Sequence, residues 1–363
     1  MSIHTYDHGG DTKEAEERFG RTSFIDFSTN INPLGPPPSV IKMLRTSRSL
    51  INAYPEPRSS TLKKVLANRH RVSPENVIVG NGVTELLYLL TRAVSASKAL
   101  VLAPTFSEYA HSQQAAGGEV HYQFLKPEDA FALPQKLDLQ AGAGLVFCCN
   151  PNNPTGSYYP QSTLIPLIEQ ATGQGAVFVL DYSFAGFLEP EPSRHLLLPA
   201  NILLKRGIFF LYSFTNFYAV PGLRLGYGIG PASLVASMEK LRGPWSVNAL
   251  AQEAGLRSLK SPAFTRRIPV ILSKWRQHFY RKLISLPGMK VFPSAANFLL
   301  VRLPDVGPPA FFFREQLAKE GLLIRDAGNF FGLDPFYFRV SVRLPAENAK
   351  LVHHLKKLIE RYC

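Results

Sequence analysis

The sequence predicts an α/β protein with a mostly parallel central sheet and a smaller α+β domain. Short apolar runs alternate with longer helical patterns through the middle of the chain, and the last third changes to a mixed strand and helix pattern. The composition of the 363 residues, 45% hydrophobic and 18% charged, is that of an ordinary globular protein. It excludes a disordered chain, a collagen-like repeat and a small disulfide scaffold.

Six apolar runs are the predicted strands of the central sheet. They are rich in Val, Ile, Leu and Phe on both faces, which is typical of strands buried in a parallel sheet. In chain order they are NVIVG (76–80), ALVLA (99–103), GLVFCC (144–149), AVFVLD (176–181), GIFFLY (207–212) and RLGYGI (224–229). Helical patterns separate most of them, for example at 85–94 and 161–171.

The last third of the chain predicts the smaller domain. A long helical stretch at about 263–286 leads into MKVFPSAANFLLVRL, and a helix around 311–320, a strand at 336–343 and a terminal helix at 346–361 follow. We expect three parts. They are an N-terminal segment (1–45) that packs on the small domain, a large α/β domain (46–260) and a small C-terminal α+β domain (261–363).

The charge and the cysteines limit the classes of partner. Lys and Arg number 40 against 27 Asp and Glu, giving +13, but they are scattered, so we interpret them as solvated helix faces rather than a nucleic-acid surface. An anionic small molecule also fits this charge. We expect neither a membrane span nor a signal peptide, since no long apolar stretch occurs. The three cysteines form no disulfide or zinc pattern, which indicates a reducing cytoplasm and no metal site.

Three motifs follow predicted strands, at the edge where open α/β sheets bind ligands. GNGVTE (80–85) opens a helix, and either it binds a phosphate or it is a plain helix start with a Thr cap. NPNNPTG (150–156) is rich in turn-forming residues but is more specific than a generic turn. SFTNFYAVPGLRLGY (213–227) carries Ser213, Thr215 and Arg224, which could clamp a phosphate together with the first loop.

Together these strings resemble the fold type I pyridoxal-phosphate enzymes, in the branch of histidinol-phosphate aminotransferases and threonine-phosphate decarboxylases. NPNNPTG, the 213–227 string and Asp181 at a strand end occur in the order of that family, and the resemblance covers nearly the whole chain. HGGD (8–11), DFSTNINPLGP (26–36) and LIRD (323–326) leading to Asn329 are more similar to the decarboxylases.

The resemblance implies which residues bind pyridoxal 5'-phosphate. Phe106 would stack on the pyridine ring, Asn153 would donate to the ring hydroxyl oxygen, and Asp181 would pair with the ring nitrogen and keep it protonated. Tyr54 would reach the cofactor phosphate of the neighbouring subunit, which implies a homodimer. The residues implied for the cofactor phosphate within the subunit are Val83, Thr84, Ser213, Thr215 and Arg224.

The resemblance also implies a small phosphorylated amino acid as the substrate. Arg339 would hold the α-carboxylate, and His8, Asn32 and Arg325 are candidates for the substrate phosphate. Read singly, each of these residues could equally be a cap, core or surface residue. The implied reaction is decarboxylation of O-phospho-L-threonine, or a close phosphoamino acid, to an aminopropanol phosphate in cobalamin biosynthesis.

One position departs from the family pattern. The Schiff-base lysine of the family belongs at the fourth position of SFTxF, where this sequence has Asn216. A carboxamide forms no imine and is no base near neutral pH. Loss of such a base costs amino transfer about 10²–10⁴-fold. Decarboxylation removes no proton from Cα, so we expect residual decarboxylation to survive better.

The origin of Asn216 leaves three functions open. Asn216 is either an introduced substitution or the natural residue of a diverged homologue. We expect the nearest preceding lysine, Lys205, to lie at the far end of its strand, so it is no substitute. The first function is an impaired or diverged decarboxylase, and the second is a histidinol-phosphate-type aminotransferase. The third is a ligand-binding pseudoenzyme that keeps the phosphate site without turnover.

Overall fold

The computed structural model describes residues 9–189, Pro199 and residues 207–363, so His8 and Lys205 lie outside the described part. None of the described helices combines the length and apolar character that crossing a bilayer requires. In chain order, the described helices are α1 (Thr12–Phe19), α2 (Pro38–Arg45), α3 (Arg48–Ile51), α4 (Ser60–His70), α5 (Gly82–Val94), α6 (Glu108–Ala115), α7 (Gln161–Gly173), α8 (Ala232–Leu241), α9 (Ala249–Leu259), α10 (Pro262–Ile284), α11 (Ala310–Lys319) and α12 (Pro345–Tyr362).

The strands belong to three sheets. In chain order they are β1 (Ile25–Asp26), β2 (Val77–Gly80), β3 (Lys98–Ala103), β4 (Glu119–Phe124), β5 (Ala143–Cys149), β6 (Val177–Asp181), β7 (Ile208–Ser213), β8 (Gly226–Ile229), β9 (Lys290–Val291), β10 (Phe298–Arg302), β11 (Leu322–Leu323), β12 (Arg325–Asp326) and β13 (Tyr337–Ser341).

The large central sheet has seven strands in the order β2, β8, β7, β6, β5, β3, β4. Strands β3 to β7 pair in parallel, and β8 runs antiparallel to both of its neighbours. The predicted mostly parallel sheet is therefore confirmed, and all six predicted strands are present. The seventh, β4, was not predicted because this edge strand, EVHYQF, is only partly buried and has no apolar run.

The parallel strands bring their carboxyl ends to one edge of the sheet. Side chains from the loops after β3, β5, β6 and β7 meet at that edge, as do the residues that open α5 after β2. The motifs that the sequence places after these strands therefore lie around one space, as expected for an open α/β sheet.

The last third forms a second, antiparallel sheet in the order β12, β13, β10, β9. Its apolar core includes Phe27, Phe279, Leu299 and Phe338, so the N-terminal segment contributes to it. Strand β1 also pairs in parallel with β11. Further along the N-terminal segment, α2 packs Val40 and Met43 into the core under the central sheet. The domain boundaries after residues 45 and 260 stay a prediction.

Candidate active site

A cavity of about 940 Å³ lies at the carboxyl edge of the central sheet, between that sheet and the antiparallel sheet. The predicted site residues that line it are Val83, Phe106, Asn153, Asp181, Ser213, Thr215, Asn216, Arg325 and Arg339. Thr84 follows Val83 in the first turn of α5. The structure thus brings together residues that are more than 250 positions apart in the sequence.

The start of α5 forms a cradle for an anion. Gly82 has φ +81°, and a Cβ built on it would lie 2.5 Å from Nη2 of Arg224, so the guanidinium packs directly against the first turn of the helix. Ser213 and Thr215 line the cavity beside it, and the Thr215 amide donates to Oγ of Ser213 over 3.1 Å. A helix N-terminus, a guanidinium and two hydroxyls suit a phosphate group.

Asp181 ends β6 and is buried, with 3% of its surface exposed. Its Oδ2 accepts a hydrogen bond from the Tyr109 hydroxyl over 2.7 Å, and its Oδ1 accepts from the Ser183 amide over 2.8 Å. Burial raises the pKa of Asp181, although the bonds from Ser183 and Tyr109 oppose this rise. A buried carboxylate of this kind is stabilised by a cationic N–H partner, such as a protonated pyridine nitrogen.

Aromatic rings flank this carboxylate. Tyr109 stacks on Phe147, with ring centroids 5.2 Å apart and planes within 9°, and Phe106 meets Tyr109 edge-on at 5.7 Å. Phe106 lines the cavity, which places an aromatic side chain where a planar ligand ring can contact it. Tyr109 was not predicted, although it lies in the same PTFSEY string, three residues after Phe106.

Two buried arginines lie at the other side of the cavity. Arg325 and Arg339 are directly opposite each other on β12 and β13 and are 7% and 6% exposed. Arg339 donates through Nη2 to the Ser28 carbonyl over 2.7 Å and through Nη1 to Oδ1 of Asn153, whereas its buried Nε has no hydrogen-bond partner among the described residues. Burial, together with Arg325, lowers the pKa of Arg339 to about 9, so the group is still charged at neutral pH. This part of the cavity attracts anions.

Asn32 and Tyr54, like Thr84 and Arg224, are not among the residues that line the cavity. Asn32 is 1% exposed, and its amide and side chain instead donate to the carbonyls of Asn216 and Phe217 over 3.0 and 3.1 Å. It therefore braces the loop that carries Asn216, and its role toward a substrate phosphate stays a prediction. Tyr54 is 83% exposed and contacts Trp245 at 5.1 Å between ring centroids, away from the cavity of its own chain.

Asn216 places its carboxamide in the cavity wall where the resemblance expects a lysine. No lysine lines the cavity among the residues that the structure describes. Within that same part of the chain, no group of three His, Cys, Asp or Glu side chains is placed to hold a metal ion.

The cavity fits pyridoxal 5'-phosphate on three structural observations. The cradle at Gly82 and Arg224 suits its phosphate, and Phe106 suits its ring. The buried Asp181 suits its ring nitrogen. The unpartnered Nε of Arg339 leaves a donor for a carboxylate in the same cavity.

Comparisons with known proteins agree with this geometry. The sequence model of the family described as aminotransferase class I and II matches residues 22–355. Threonine-phosphate decarboxylase from Salmonella typhimurium is 33% identical over 99% of this chain and 98% of its own length. Histidinol-phosphate aminotransferase 2 from Carboxydothermus hydrogenoformans is 31% identical over 99% and 98%. The crystal structure of L-threonine-O-3-phosphate decarboxylase from Porphyromonas gingivalis matches with a TM-score of 0.82 and 29% identity, covering 92% of this chain and 99% of that one.

Proposed function

The chain belongs to the aminotransferase class I and II family, and from that membership we propose that it is a decarboxylase-like protein for O-phospho-L-threonine or a close phosphoamino acid. Pyridoxal 5'-phosphate is the cofactor of this family, and the fold is the fold type I α/β architecture. The product would be an aminopropanol phosphate. A 29% identical relative, the adenosylcobalamin biosynthesis bifunctional protein from Leptospira interrogans, supports a place in cobalamin biosynthesis.

The observation that carries this proposal is the pair of buried arginines across the cavity from the phosphate cradle. A phosphoamino acid brings two anionic groups, a carboxylate and a phosphate, in addition to those of the cofactor. Arg339 offers an unpartnered Nε, and Arg325 lies directly opposite it on the neighbouring strand. Two buried guanidiniums this close repel each other, so an anion bound between them is stabilised.

Each side chain has a defined task in this proposal. The cofactor, when bound, supplies an electron sink for the bond that breaks at Cα. The α5 cradle with Arg224 holds the cofactor phosphate, Asp181 keeps a proton on the ring nitrogen, and Arg339 orients the substrate carboxylate. Asn216 neither accepts nor releases a proton near neutral pH and forms no covalent link. We therefore expect the chain to hold its cofactor reversibly and to turn over slowly.

The test is a product assay of the parent chain beside the Asn216→Lys variant. Each is incubated with pyridoxal 5'-phosphate and O-phospho-L-threonine, and aminopropanol phosphate is measured by mass spectrometry. We expect the variant to form product at least 10²-fold faster than the parent, since it regains the amine. The matched control, Asn216→Gln, changes the side-chain length without adding an amine and is expected to stay as slow as the parent. If no variant makes product, the proposed decarboxylation is wrong.

The same assay separates the two alternative functions. Amino transfer to 2-oxoglutarate in place of decarboxylation would favour a histidinol-phosphate-type aminotransferase, which the relative at 31% identity supports. Tight binding of cofactor and phosphoamino acid without any product, in the parent and in Asn216→Lys alike, would favour a ligand-binding pseudoenzyme.

We further propose that the protein works as a homodimer in the cytoplasm. Tyr54 and Trp245 are 83% and 46% exposed although they form an aromatic pair, which suits an interface with a second copy. The three cysteines are unpaired, which supports a reducing compartment. The expected partners remain small phosphorylated molecules, with no nucleic acid and no membrane.

A further inference from the structure

Asp26 lies at the end of β1, next to the cavity wall, and its carboxylate accepts three hydrogen bonds from the two hydroxyl residues that follow it. The amide and the hydroxyl of Ser28 donate to Oδ1 over 2.7 and 2.6 Å. The Thr29 hydroxyl donates to Oδ2 over 2.8 Å. A carboxylate that accepts from the backbone two residues on closes a tight local turn. This turn fixes the orientation of the Ser28 peptide.

Ser28 is fixed from several sides as well as by Asp26. The Gly10 amide donates to the Ser28 hydroxyl over 3.0 Å, and the Gly9 backbone packs on the Ser28 carbonyl so closely that a Cβ would overlap it. The residue before it, Phe27, donates its amide to the Leu323 carbonyl over 2.7 Å and accepts from the Ser341 amide over 2.9 Å. The Ser28 carbonyl thus has a defined direction, and it points at the guanidinium of Arg339.

The Ser28 carbonyl is one of two groups that orient Arg339, the other being Oδ1 of Asn153. These two bonds occupy both terminal nitrogens and direct the unpartnered Nε. Asp26 also acts on Arg339 through its charge, since its carboxylate raises the pKa of that guanidinium against the lowering by burial and by Arg325. Geometry and charge therefore connect Asp26 to the same side chain without a direct contact.

We propose that Asp26 is a positioning residue that, through the Ser28 carbonyl, fixes the Arg339 guanidinium for the substrate carboxylate. This inference rests on the proposed function, because that function assigns the carboxylate to Arg339. Asp26 itself lies behind Ser28 and touches no part of the substrate. Its loss affects the recognition of one chemical group, the carboxylate, and leaves the phosphate cradle at the other side of the cavity intact.

The test compares two ligands that differ by the carboxylate alone, O-phospho-L-threonine and 1-amino-2-propanol phosphate. Their dissociation constants are measured by calorimetry on the full chain loaded with pyridoxal 5'-phosphate. We expect Asp26→Ala to raise the dissociation constant of phosphothreonine about tenfold, which corresponds to one well-placed hydrogen bond. The dissociation constant of aminopropanol phosphate should change less than twofold. The conservative variant, Asp26→Asn, keeps Oδ1 as an acceptor and can donate to the Thr29 hydroxyl, so it should bind within threefold of the parent.

The matched control is Asp11→Ala, which removes another carboxylate of the N-terminal segment. In the described structure the Asp11 side chain bonds only the Glu14 amide, over 2.9 Å. Asp11→Ala should leave the dissociation constants of both ligands unchanged. Equal weakening of both ligands by Asp26→Ala would show a merely structural role and overturn the proposal. The proposal would also be overturned if Asp26→Asn lost as much phosphothreonine affinity as Asp26→Ala, because the charge of Asp26 alone would then be the cause.

A crystal structure of Asp26→Ala separates this inference from the proposed function. If the parent binds phosphothreonine no better than aminopropanol phosphate, the proposed function fails, and the position of Arg339 decides the inference by itself. A turned Ser28 carbonyl with a displaced Arg339 guanidinium supports it. An unmoved Ser28 and Arg339 overturn it, whatever the ligand data are.

Discussion

Asp181 is a buried carboxylate whose surroundings favour a cationic partner. It is 3% exposed, accepts bonds from Tyr109 and Ser183, and its pKa is raised by burial. A neutral partner at this place would leave the buried negative charge of Asp181 without compensation. The position after β6 is visible in the sequence, but the bond to Tyr109 depends on helix α6, which lies 72 residues earlier.

At this scale we predict the effect of Asp181→Asn. The variant keeps the shape of the side chain but removes its negative charge, so it no longer keeps a proton on the ring nitrogen. We expect the affinity for pyridoxal 5'-phosphate to fall at least tenfold, and product formation in an Asn216→Lys background to fall about 10²-fold or more. Fluorescence titration and the product assay measure these changes. Asp138→Asn is the control, because Asp138 is an exposed aspartate that pairs with His121 and does not line the cavity; equal losses in both variants would contradict the role of the Asp181 carboxylate.

The start of helix α5 is an element whose function depends on one glycine. Gly82 has φ +81°, which side chains with a Cβ rarely adopt, and its Cα lies against the Arg224 guanidinium. Arg224 itself has φ +55° at the end of a short turn before β8. Two backbone segments from different strands therefore depend on each other to form the phosphate cradle.

We predict that Gly82→Ala separates backbone strain from loss of the cradle. The new Cβ would lie 2.5 Å from Nη2 of Arg224, so the guanidinium must move. Gly175→Ala is the matched control, because Gly175 has φ +82° with no neighbouring atom within 4 Å of the new Cβ. Both variants should lose about 1–2 kcal/mol of unfolding free energy from the positive φ. Pyridoxal 5'-phosphate should bind at least tenfold more weakly to Gly82→Ala and unchanged to Gly175→Ala, and equal binding by the two would contradict the cradle.

The strands show which elements the sequence can predict. Strands such as β6 and β7 are buried on both faces, so an unbroken apolar run marks them. Edge strand β4 is partly exposed and carries no such run. The two-residue strands β1, β11 and β12 are too short to show any period. Strands β1 and β11 exist because they pair across about 300 residues of sequence, and β12 exists because it pairs with the nearby β13. Their pairing brings Asp26, Arg325 and Arg339 together, so the network behind Arg339 could not be predicted.

The whole molecule contains a buried titrating group that does not line the cavity. His70 ends α4 and forms a hydrogen bond of 2.9 Å between its Nε2 and the hydroxyl of Tyr227 on β8. Tyr227 stacks on Tyr212 of β7 at 4.7 Å and 9°. Burial, and to a smaller extent Arg69, lowers the pKa of His70 to about 4. Protonation of this imidazole therefore destabilises the junction between α4 and the central sheet.

We predict that acid weakens the fold through His70. The unfolded chain takes up this proton near pH 6.5 and the folded chain near pH 4, so stability is present above pH 6.5 and is lost as the pH falls between these values. From pH 7.5 to 5 the loss is about 2 kcal/mol of unfolding free energy. Urea unfolding of the parent and of His70→Gln at both pH values measures it, and the variant should lose about 2 kcal/mol less. Tyr227→Phe should be less stable at both pH values but keep the pH dependence; parallel curves for the parent and His70→Gln would exclude His70 as the cause.

The proposed homodimer predicts that subunits complement each other. If Tyr54 serves the cofactor phosphate of the partner while Arg224 serves that of its own chain, Tyr54→Ala and Arg224→Ala each damage every site in a pure dimer. In a mixed dimer, one site has both an intact Arg224 and an intact Tyr54 from the other subunit. Random mixing after mild denaturation and refolding should restore tight binding of pyridoxal 5'-phosphate to about a quarter of the sites, because half the dimers are mixed and each has one whole site.

The complementation experiment has a control within the same design. A double variant, Tyr54→Ala with Arg224→Ala, mixed with the parent should give no mixed dimer with a whole site, since each of its sites then lacks one of the two groups. In this mixture, only dimers of two parent chains contain sites that bind pyridoxal 5'-phosphate tightly. A mixture of the single variants that binds no better than either variant would mean that Tyr54 does not cross to a partner.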